Sequence, residues 1–248
     1  MHIHPPHKSG SDFKEHMLHF FMLFMAVVLG ALAENLRENY LDKTKEKEYL
    51  SSLVSDLGHD GINLSKCIKA RTEKTEVGNK LINLLSQEKI TNQKDIYYFT
   101  RLMTKVETFE GVDGALNQLQ FSDGFRLIEN KEIIKKINDY LYIRKSVYAL
   151  NKTEEEILIQ FRIASSKVIK AGIFSQMLNV EKNKKYKYFI KPLDEDEDLF
   201  SYDKTNLNDL VYWTSSENGN QSTNMNQMTL LKNKGEELIE LIKSDLEE

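Results

Sequence analysis

Cysteine and proline are scarce in this chain, and each shortage narrows the possible folds. Cys67 is the only cysteine among the 248 residues, which excludes an intramolecular disulfide and a metal site built from several thiolates. The only prolines are Pro5, Pro6 and Pro192. Because proline removes a backbone donor and interrupts helices, the long proline-free stretch between them favours an all-α fold.

Excess positive charge and catalytic motifs are also lacking. The formal net charge is −4, so the chain as a whole has no electrostatic attraction for nucleic acid. The sequence contains no glycine-rich dinucleotide loop, Walker loop, His-Glu-x-x-His motif or Gly-x-Ser-x-Gly elbow. We therefore predict no catalytic residue, no cofactor and no metal ligand, and we expect a non-enzymatic protein.

The most informative feature that is present is an apolar run at residues 17–33. None of these seventeen residues carries a full charge. A helix of this length covers about 26 Å, close to the roughly 30 Å of a bilayer's hydrocarbon core. The run therefore predicts a transmembrane helix over residues 12–34.

Two other interpretations of this run stay open. Lys8 and Lys14 followed by the apolar run and Ala31-Leu32-Ala33 match a cleavable signal peptide. A buried helix of a soluble protein is the other alternative, although little of the remaining chain is apolar enough to cover it. An uncut anchor is favoured because good helix formers continue from Glu34 without a glycine or proline.

Two arguments bear on the orientation of the anchor, and they oppose each other. More basic residues follow the apolar run than precede it, which favours a cytoplasmic C-terminal side. Long domains, however, translocate largely regardless of charge. We expect a single-pass protein of the bacterial inner membrane with its soluble domain in the periplasm, and the cytoplasm is the alternative.

Small residues within the apolar run suggest a contact between helices. Ala26 and Gly30 are four residues apart, a spacing that lets two transmembrane helices approach closely. We predict them as a possible helix–helix contact; a patch of small residues facing lipid is the alternative. His19 lies where it can reach the headgroups, and a proton relay is the other interpretation.

The rest of the chain divides into a tail, a stalk and a domain. Residues 1–11 read as a disordered tail, in which His2, His4 and His7 are weak candidates for metal binding. Residues 35–57 are predicted as a helical stalk that is exposed over residues 42–48, where no apolar residue occurs. Residues 58–248 are predicted as a helical domain of about five to seven helices.

Several breaks and helix ends are predicted in the first half of the domain. Gly58 and Gly61 indicate a bend, after which a second helix should begin. Thr91 is a candidate N-cap of the next helix, and a short helix is expected at residues 114–121. We expect the centre of the core among the large apolar residues of this region: Phe109, Leu116, Leu119, Phe121, Phe125, Leu127 and Ile128.

The second half of the domain adds long helical patterns and one strand-like stretch. Thr153 and Glu156 have the spacing of a capping box, which predicts a break near Asn151; one bent helix is the alternative. Residues 184–191 are strand-like, and residues 228–246 form an amphipathic pattern that should pack back on the bundle.

Two charged segments admit a binding role. The acidic residues 194–198 could attract calcium but lack the spacing of an EF-hand loop. Lysines and aromatic residues alternate over residues 182–189, a pattern that could contact anionic lipid or nucleic acid. We interpret both segments as solvated surface.

Four segments together resemble uncharacterised single-pass membrane proteins of Bacteroidota-type bacteria. They are Glu34-Asn-Leu-Arg-Glu-Asn-Tyr40 after the apolar run, residues 46–57, residues 124–131 with the downstream Ile137 and Tyr140, and residues 237–243. The resemblance implies an N-terminal anchor with a helical domain, and it assigns no catalytic residue.

These observations lead to one functional expectation and two alternatives. We expect a membrane-anchored, non-enzymatic interaction or scaffold protein that contacts the lipid bilayer and a protein partner or a second copy, but no nucleic acid. A sensor or regulatory subunit that relays a signal through the stalk is the first alternative. An enzyme of unrecognised type is the second.

Overall fold

The computed structural model of the chain describes residues 9–122, 124–178 and 190–247, and gives only the backbone for residues 9–12. These ranges hold seven helices and, besides them, one isolated antiparallel bridge between Leu178 and Ile190. The predicted all-α class is confirmed. The helices are α1 Ser9–Leu85, α2 Gln93–Met103, α3 Gly114–Phe121, α4 Gly124–Leu127, α5 Lys131–Ser166, α6 Ala171–Gln176 and α7 Lys204–Glu247.

The N-terminal half of helix α1 is apolar and uncovered. Its C-terminal half packs against the other helices, and together they form what we call the body. The 77 residues of α1 correspond to a rod of about 115 Å. Among the described residues it is the one helix long and apolar enough to cross a membrane, and no part of the described chain covers its apolar window. Residues 34–45, almost all exposed, separate this window from the body by about 18 Å of helix.

The body is built on three long helices, and α5 runs parallel to α1. The Tyr140 hydroxyl donates to Asp60 Oδ2 at 2.6 Å, and farther from the apolar half Arg71 Nη1 lies 2.8 Å from Glu154 Oε2. Residue numbers therefore increase in the same direction along α1 and α5. The predicted break near Asn151 is absent, since the Thr153 hydroxyl donates back to the Ala149 carbonyl at 3.4 Å within an unbroken α5.

Helix α7 runs antiparallel to both and returns the chain toward the apolar half of α1. Gln221 lies beside Glu154, whereas Asp245, near the end of α7, accepts a 2.7 Å hydrogen bond from Asn130 at the start of α5. The predicted packing of residues 228–246 on the bundle is confirmed, with Met228, Leu231, Leu238 and Ile242 buried. Helix α7 begins at Lys204, well before residue 228, where the predicted amphipathic pattern starts.

Carboxylates of α1 hold the connection between α2 and α3. Asp56 Oδ2 accepts from the Ala115 amide at 2.7 Å, and Asp60 Oδ1 accepts from the Val112 amide at 2.8 Å. The two acids are four residues apart and so lie on the same face of α1. They satisfy backbone donors that would otherwise lack partners as α3 begins.

The structure corrects the prediction of a bend at Gly58 and Gly61, because α1 continues unbroken to Leu85. A Cβ atom at either glycine would meet no atom within 4 Å, so both occupy open positions on the helix. Packing against α7 keeps this part of α1 helical despite the low helix propensity of the two glycines.

Three smaller predictions are also corrected. Glu46, expected to be exposed, is buried and accepts from the Glu129 amide at 2.7 Å. Phe121, expected in the core, is 85 % exposed. Of the other predicted core residues, Phe125 and Leu127 are half-buried, and the rest are buried: Phe109, Leu116, Leu119 and Ile128. Asn92, not Thr91, caps α2. Most of the strand-like stretch lies outside the described residues.

Candidate functional site

A buried layer of polar side chains divides the core of the body into two apolar clusters. The cluster nearer the apolar half of α1 includes Leu53, Ile137 and Leu231, and the far cluster includes Leu81, Phe161 and Leu210. Seven residues from three helices form what we call the polar layer: Arg71 and Lys74 of α1, Asn151 and Glu154 of α5, and Glu217, Gln221 and Asn224 of α7.

Two cations and two carboxylates pair within this layer. Glu154 lies 2.8 Å from Arg71 and 3.1 Å from Lys74, and Lys74 also lies 2.5 Å from Glu217. Lys74 is 10 % exposed, and the other three side chains are at most 2 % exposed. The charges balance, as a buried ionic group requires.

Side-chain amides complete the layer. Gln221 Nε2 donates to Glu154 Oε1 and to Glu217 Oε1, each at 2.7 Å, and its Oε1 accepts from Arg71 at 2.6 Å. Asn151 Oδ1 accepts from Arg71 at 3.1 Å and from Asn224 at 3.3 Å. The amides thus connect charges from all three helices into one network.

The two carboxylates of the layer have opposite tendencies to ionise. Burial disfavours the charged form of Glu154, but Lys74 and Arg71 outweigh it and keep its pKa below the ordinary value. For Glu217, burial outweighs the attraction of Lys74, and its pKa is raised. Glu154 therefore carries the fixed negative charge, and Glu217 takes up a proton first as the pH falls.

A cavity of about 190 Å³ adjoins the polar layer between α1 and the chain that follows α2. Arg71, Lys74, Glu154 and Gln221 contribute to its wall. Arg71 Nε is buried and has no hydrogen-bond partner among the described residues. This arrangement can hold a small polar molecule by hydrogen bonds and charge.

The structure does not test the predicted helix–helix contact, which stays a prediction. Ala26 and Gly30 lie exposed on the apolar half of α1, and nothing lies within 4 Å of a Cβ built on Gly30. The candidate metal ligands His2, His4 and His7 fall outside the described residues. Within the described ranges, no group of three or more His, Cys, Asp or Glu side chains is placed to hold a metal.

The other features noted in the sequence are not part of the polar layer or lie outside the described residues. Asp196 of the acidic run accepts from the Lys94 amide at 2.9 Å, so it helps hold the start of α2. The lysine and aromatic stretch at residues 182–189 is not described. Cys67 is buried within the apolar cluster nearer the apolar half of α1, and burial raises the pKa of its thiol.

Sequence reasoning missed the polar layer, although α7 contains a signal for it. Residues 214–224 include no apolar side chain, yet apolar residues flank them on both sides. In the structure Thr214, Glu217, Gln221 and Asn224 of this stretch are fully buried. A polar interruption in an otherwise amphipathic helix could therefore have indicated a buried polar contact.

Comparison with known proteins yields no family model, no curated protein and no solved structure that matches this chain. The resemblance to single-pass membrane proteins of Bacteroidota-type bacteria accordingly stays a prediction.

Proposed function

We propose that this chain is a single-pass protein of the bacterial inner membrane whose helical body lies in the periplasm as a non-enzymatic interaction or scaffold module. The uncovered apolar half of α1 carries the proposal. Residues such as Phe20, Leu23 and Val27 expose more than half of their surface. An apolar surface of this extent needs a lipid or protein covering, and its length suits a bilayer.

The body offers exposed aromatic side chains for a partner. Tyr142 is 75 % exposed, Phe200 70 % and Tyr212 60 %. Aromatic side chains contribute strongly to protein interfaces because they combine a large apolar area with few rotatable bonds. These three positions support a role in protein contacts and provide sites to test it.

Photo-crosslinking in native membranes tests the interaction role. A benzophenone amino acid replaces Tyr142, Phe200 or Tyr212 in the full chain, and Glu155, an exposed polar position of α5, serves as the matched control. We expect a discrete crosslinked product with a partner or a second copy from at least one aromatic position. Uncrosslinked protein at all three positions would contradict an interaction module.

A second candidate function, a sensor or regulatory subunit, is favoured by the continuity of α1. One unbroken helix carries both the apolar half and Arg71 and Lys74 of the polar layer. A displacement in the body could pass along this rod to the membrane. Two glycines inserted after Lys45 should then reproduce the phenotype of a deletion strain at normal expression, and the same insertion after Glu195 should not. Normal behaviour of the Lys45 insertion would exclude the relay.

A further inference from the structure

An open groove of about 620 Å³ lies between α1 and α7, on the side of the polar layer nearer the apolar half of α1. Its walls are mainly apolar and include Leu57 and Ile62 of α1 and Ile239 of α7. Ile62 exposes 56 % of its surface there. Leu57 lies about 36 Å along α1 from Ala33, the end of the apolar run. Bilayer lipid therefore does not cover this apolar surface.

Glycines on both helices give the groove its depth. Gly58 and Gly61 of α1 and Gly235 of α7 are part of its lining. A Cβ on Gly58 or Gly61 would meet no atom within 4 Å, and one on Gly235 would lie 3.4 Å from the Tyr140 ring. The missing side chains therefore leave space between the two helices that other residues would fill.

Three lysines lie toward the end of the groove that is farther from the apolar half of α1. Lys66 and Lys69 are the last residues of α1 in the lining. Because α7 runs antiparallel to α1, Lys232 lies toward the same end. The groove therefore combines an apolar stretch with a cationic end.

Two carboxylates also line the groove, and both already have partners. Asp60 accepts hydrogen bonds from a tyrosine hydroxyl and a backbone amide, and Glu236 lies 3.7 Å from Lys232. Lys66 and Lys69 are exposed, and they form no ion pair or hydrogen bond within the described part of the chain. The lining thus has three cations against two carboxylates, and the two unpaired cations are adjacent.

The dimensions of the groove suit an alkyl chain better than a helix. The lining residues 57–69 cover about 18 Å of α1. Over that length, 620 Å³ corresponds to a channel about 6–7 Å wide, narrower than the roughly 10–12 Å of a helix with its side chains. Since about 150 Å³ is large enough for the six carbons of benzene, the groove has room for up to about 25 non-hydrogen atoms.

We propose that this groove binds a single-chain anionic amphiphile of the fatty-acid type, with its alkyl chain along the glycines and its carboxylate at Lys66 and Lys69. The apolar walls cover the chain, the two unpaired lysines complement the charge of the head group, and the width suits one chain. The inference goes beyond the proposed function, because binding does not depend on a protein partner or on the side of the membrane.

Photolabelling of the full chain in lipid nanodiscs tests the site. The probe is dodecanoate with a diazirine in its tail, and mass spectrometry of the digested protein locates the adducts. We expect adducts within residues 57–69 and 231–239. Probe dissolved in the bilayer should also label residues 13–33 if α1 spans it, so the same experiment reports on the anchor separately.

Unlabelled competitors test the role of the head group. Dodecanoate and dodecyltrimethylammonium have alkyl chains of the same length and dissolve in the bilayer, but their charges are opposite. Dodecanoate should suppress the groove adducts at a concentration at least about tenfold lower, because a hydrogen bond between charged groups contributes about that factor.

Two variants alter the groove at open or exposed positions and so keep the fold. Gly61→Leu places a side chain in the groove with a better helix former and should abolish the groove adducts. Lys66→Gln/Lys69→Gln should raise the probe concentration for half-maximal groove labelling about tenfold. Gly219→Leu, at an exposed glycine of α7 outside the groove, is the matched control and should label normally. Circular dichroism melting curves verify that each variant folds.

Four results would overturn the proposal. Absence of groove adducts from the folded protein would mean that the groove takes no amphiphile. Equal suppression by the two competitors would show an apolar surface without a head-group site, and unchanged groove labelling in Gly61→Leu would place the chain elsewhere. A benzophenone at Ile62 that crosslinks to a second copy or another protein in native membranes would show a protein-docking face instead. Groove adducts without labelling of residues 13–33 would support the groove and contradict the anchor.

Discussion

Arg71 Nη1 lies 2.8 Å from Glu154 Oε2 in the middle of the body, with only 2 % and 1 % of the two side chains exposed. The pair joins α1 to α5, and the amide of Gln221 on α7 contacts both partners. An ion pair this deeply buried loses most of its hydration, so its Coulomb energy is largely offset. Its partners nevertheless depend strongly on each other.

Removal of Arg71 alone should therefore destabilise the protein more than removal of the whole pair. Arg71→Ala leaves Glu154 buried beside Lys74 only, and we expect a loss of about 3–5 kcal/mol in the free energy of unfolding. The double variant Arg71→Met/Glu154→Leu should lose clearly less, because no uncompensated charge remains. Urea denaturation followed by circular dichroism measures both. A double variant that loses as much stability as Arg71→Ala, or more, would contradict this expectation.

Sequence reasoning could not assemble this layer, for a physical reason. Lys74, Glu154 and Glu217 each occur in a long helix with many other charged residues, and their local spacing is that of an exposed face. They become neighbours only because α5 runs parallel to α1 while α7 runs antiparallel to it. No local pattern fixes that arrangement.

Asp60 should give stability a pH dependence opposite to that of an ordinary salt-bridged acid. Burial raises its pKa more than the hydrogen bonds from Tyr140 and Val112 lower it. The folded state therefore holds the proton more tightly than the unfolded chain. The contribution of Asp60 to stability is full below its unfolded pKa of about 4, and it is lost as the pH rises through the raised folded pKa.

Comparison with Asp60→Asn isolates this contribution. The asparagine can accept from the Val112 amide and donate to the Tyr140 hydroxyl, but it does not titrate. Urea denaturation of both proteins over the acid range should show the wild-type free energy of unfolding falling relative to that of the variant as the pH rises. A constant or widening advantage of the wild type would contradict the raised pKa.

Substitution by alanine should lower the stability of the protein at one helical glycine, Gly124, and raise it at another, Gly58. A Cβ on Gly124 would lie 2.9 Å from the Leu119 Cα, a backbone atom that cannot move aside. Gly124→Ala should cost about 1–3 kcal/mol through overpacking. Gly58→Ala has open space around the new methyl group and should gain up to about 1 kcal/mol of helix propensity. Thermal melting compares them, and a stabilised Gly124→Ala would contradict the close approach of Gly124 to Leu119.

Leu23 should be among the positions most sensitive to charge if α1 spans the membrane. Lysine near the centre of a transmembrane helix costs about 2.5–3.5 kcal/mol on insertion. Leu23→Lys should therefore move a large fraction of the protein from the carbonate-resistant membrane fraction to the soluble one. Thr44→Lys, in the exposed segment between the apolar half and the body, is the matched control and should stay in the membrane. Equal extraction of the two variants would speak against a spanning helix.

The helical class and several helix positions followed from the sequence, but the continuity of the helices did not. The prediction of a helix at residues 114–121 matches α3, because its ends are marked by local turn residues. The breaks expected at Gly58, Gly61 and Asn151 do not occur. Packing of α7 along both α1 and α5 outweighs the local tendency of these residues to end a helix.

Accessibility labelling in intact cells tests most directly whether the body is anchored by α1 and lies in the periplasm. The full chain carries Cys67→Ala, since Cys67 is buried, and a single new cysteine at the exposed Glu195. The account predicts that a maleimide which crosses only the outer membrane labels the full-length protein in intact cells, in the membrane fraction. Labelling only after lysis would place the body in the cytoplasm, and a labelled product that is shorter and soluble would show a cleaved signal peptide.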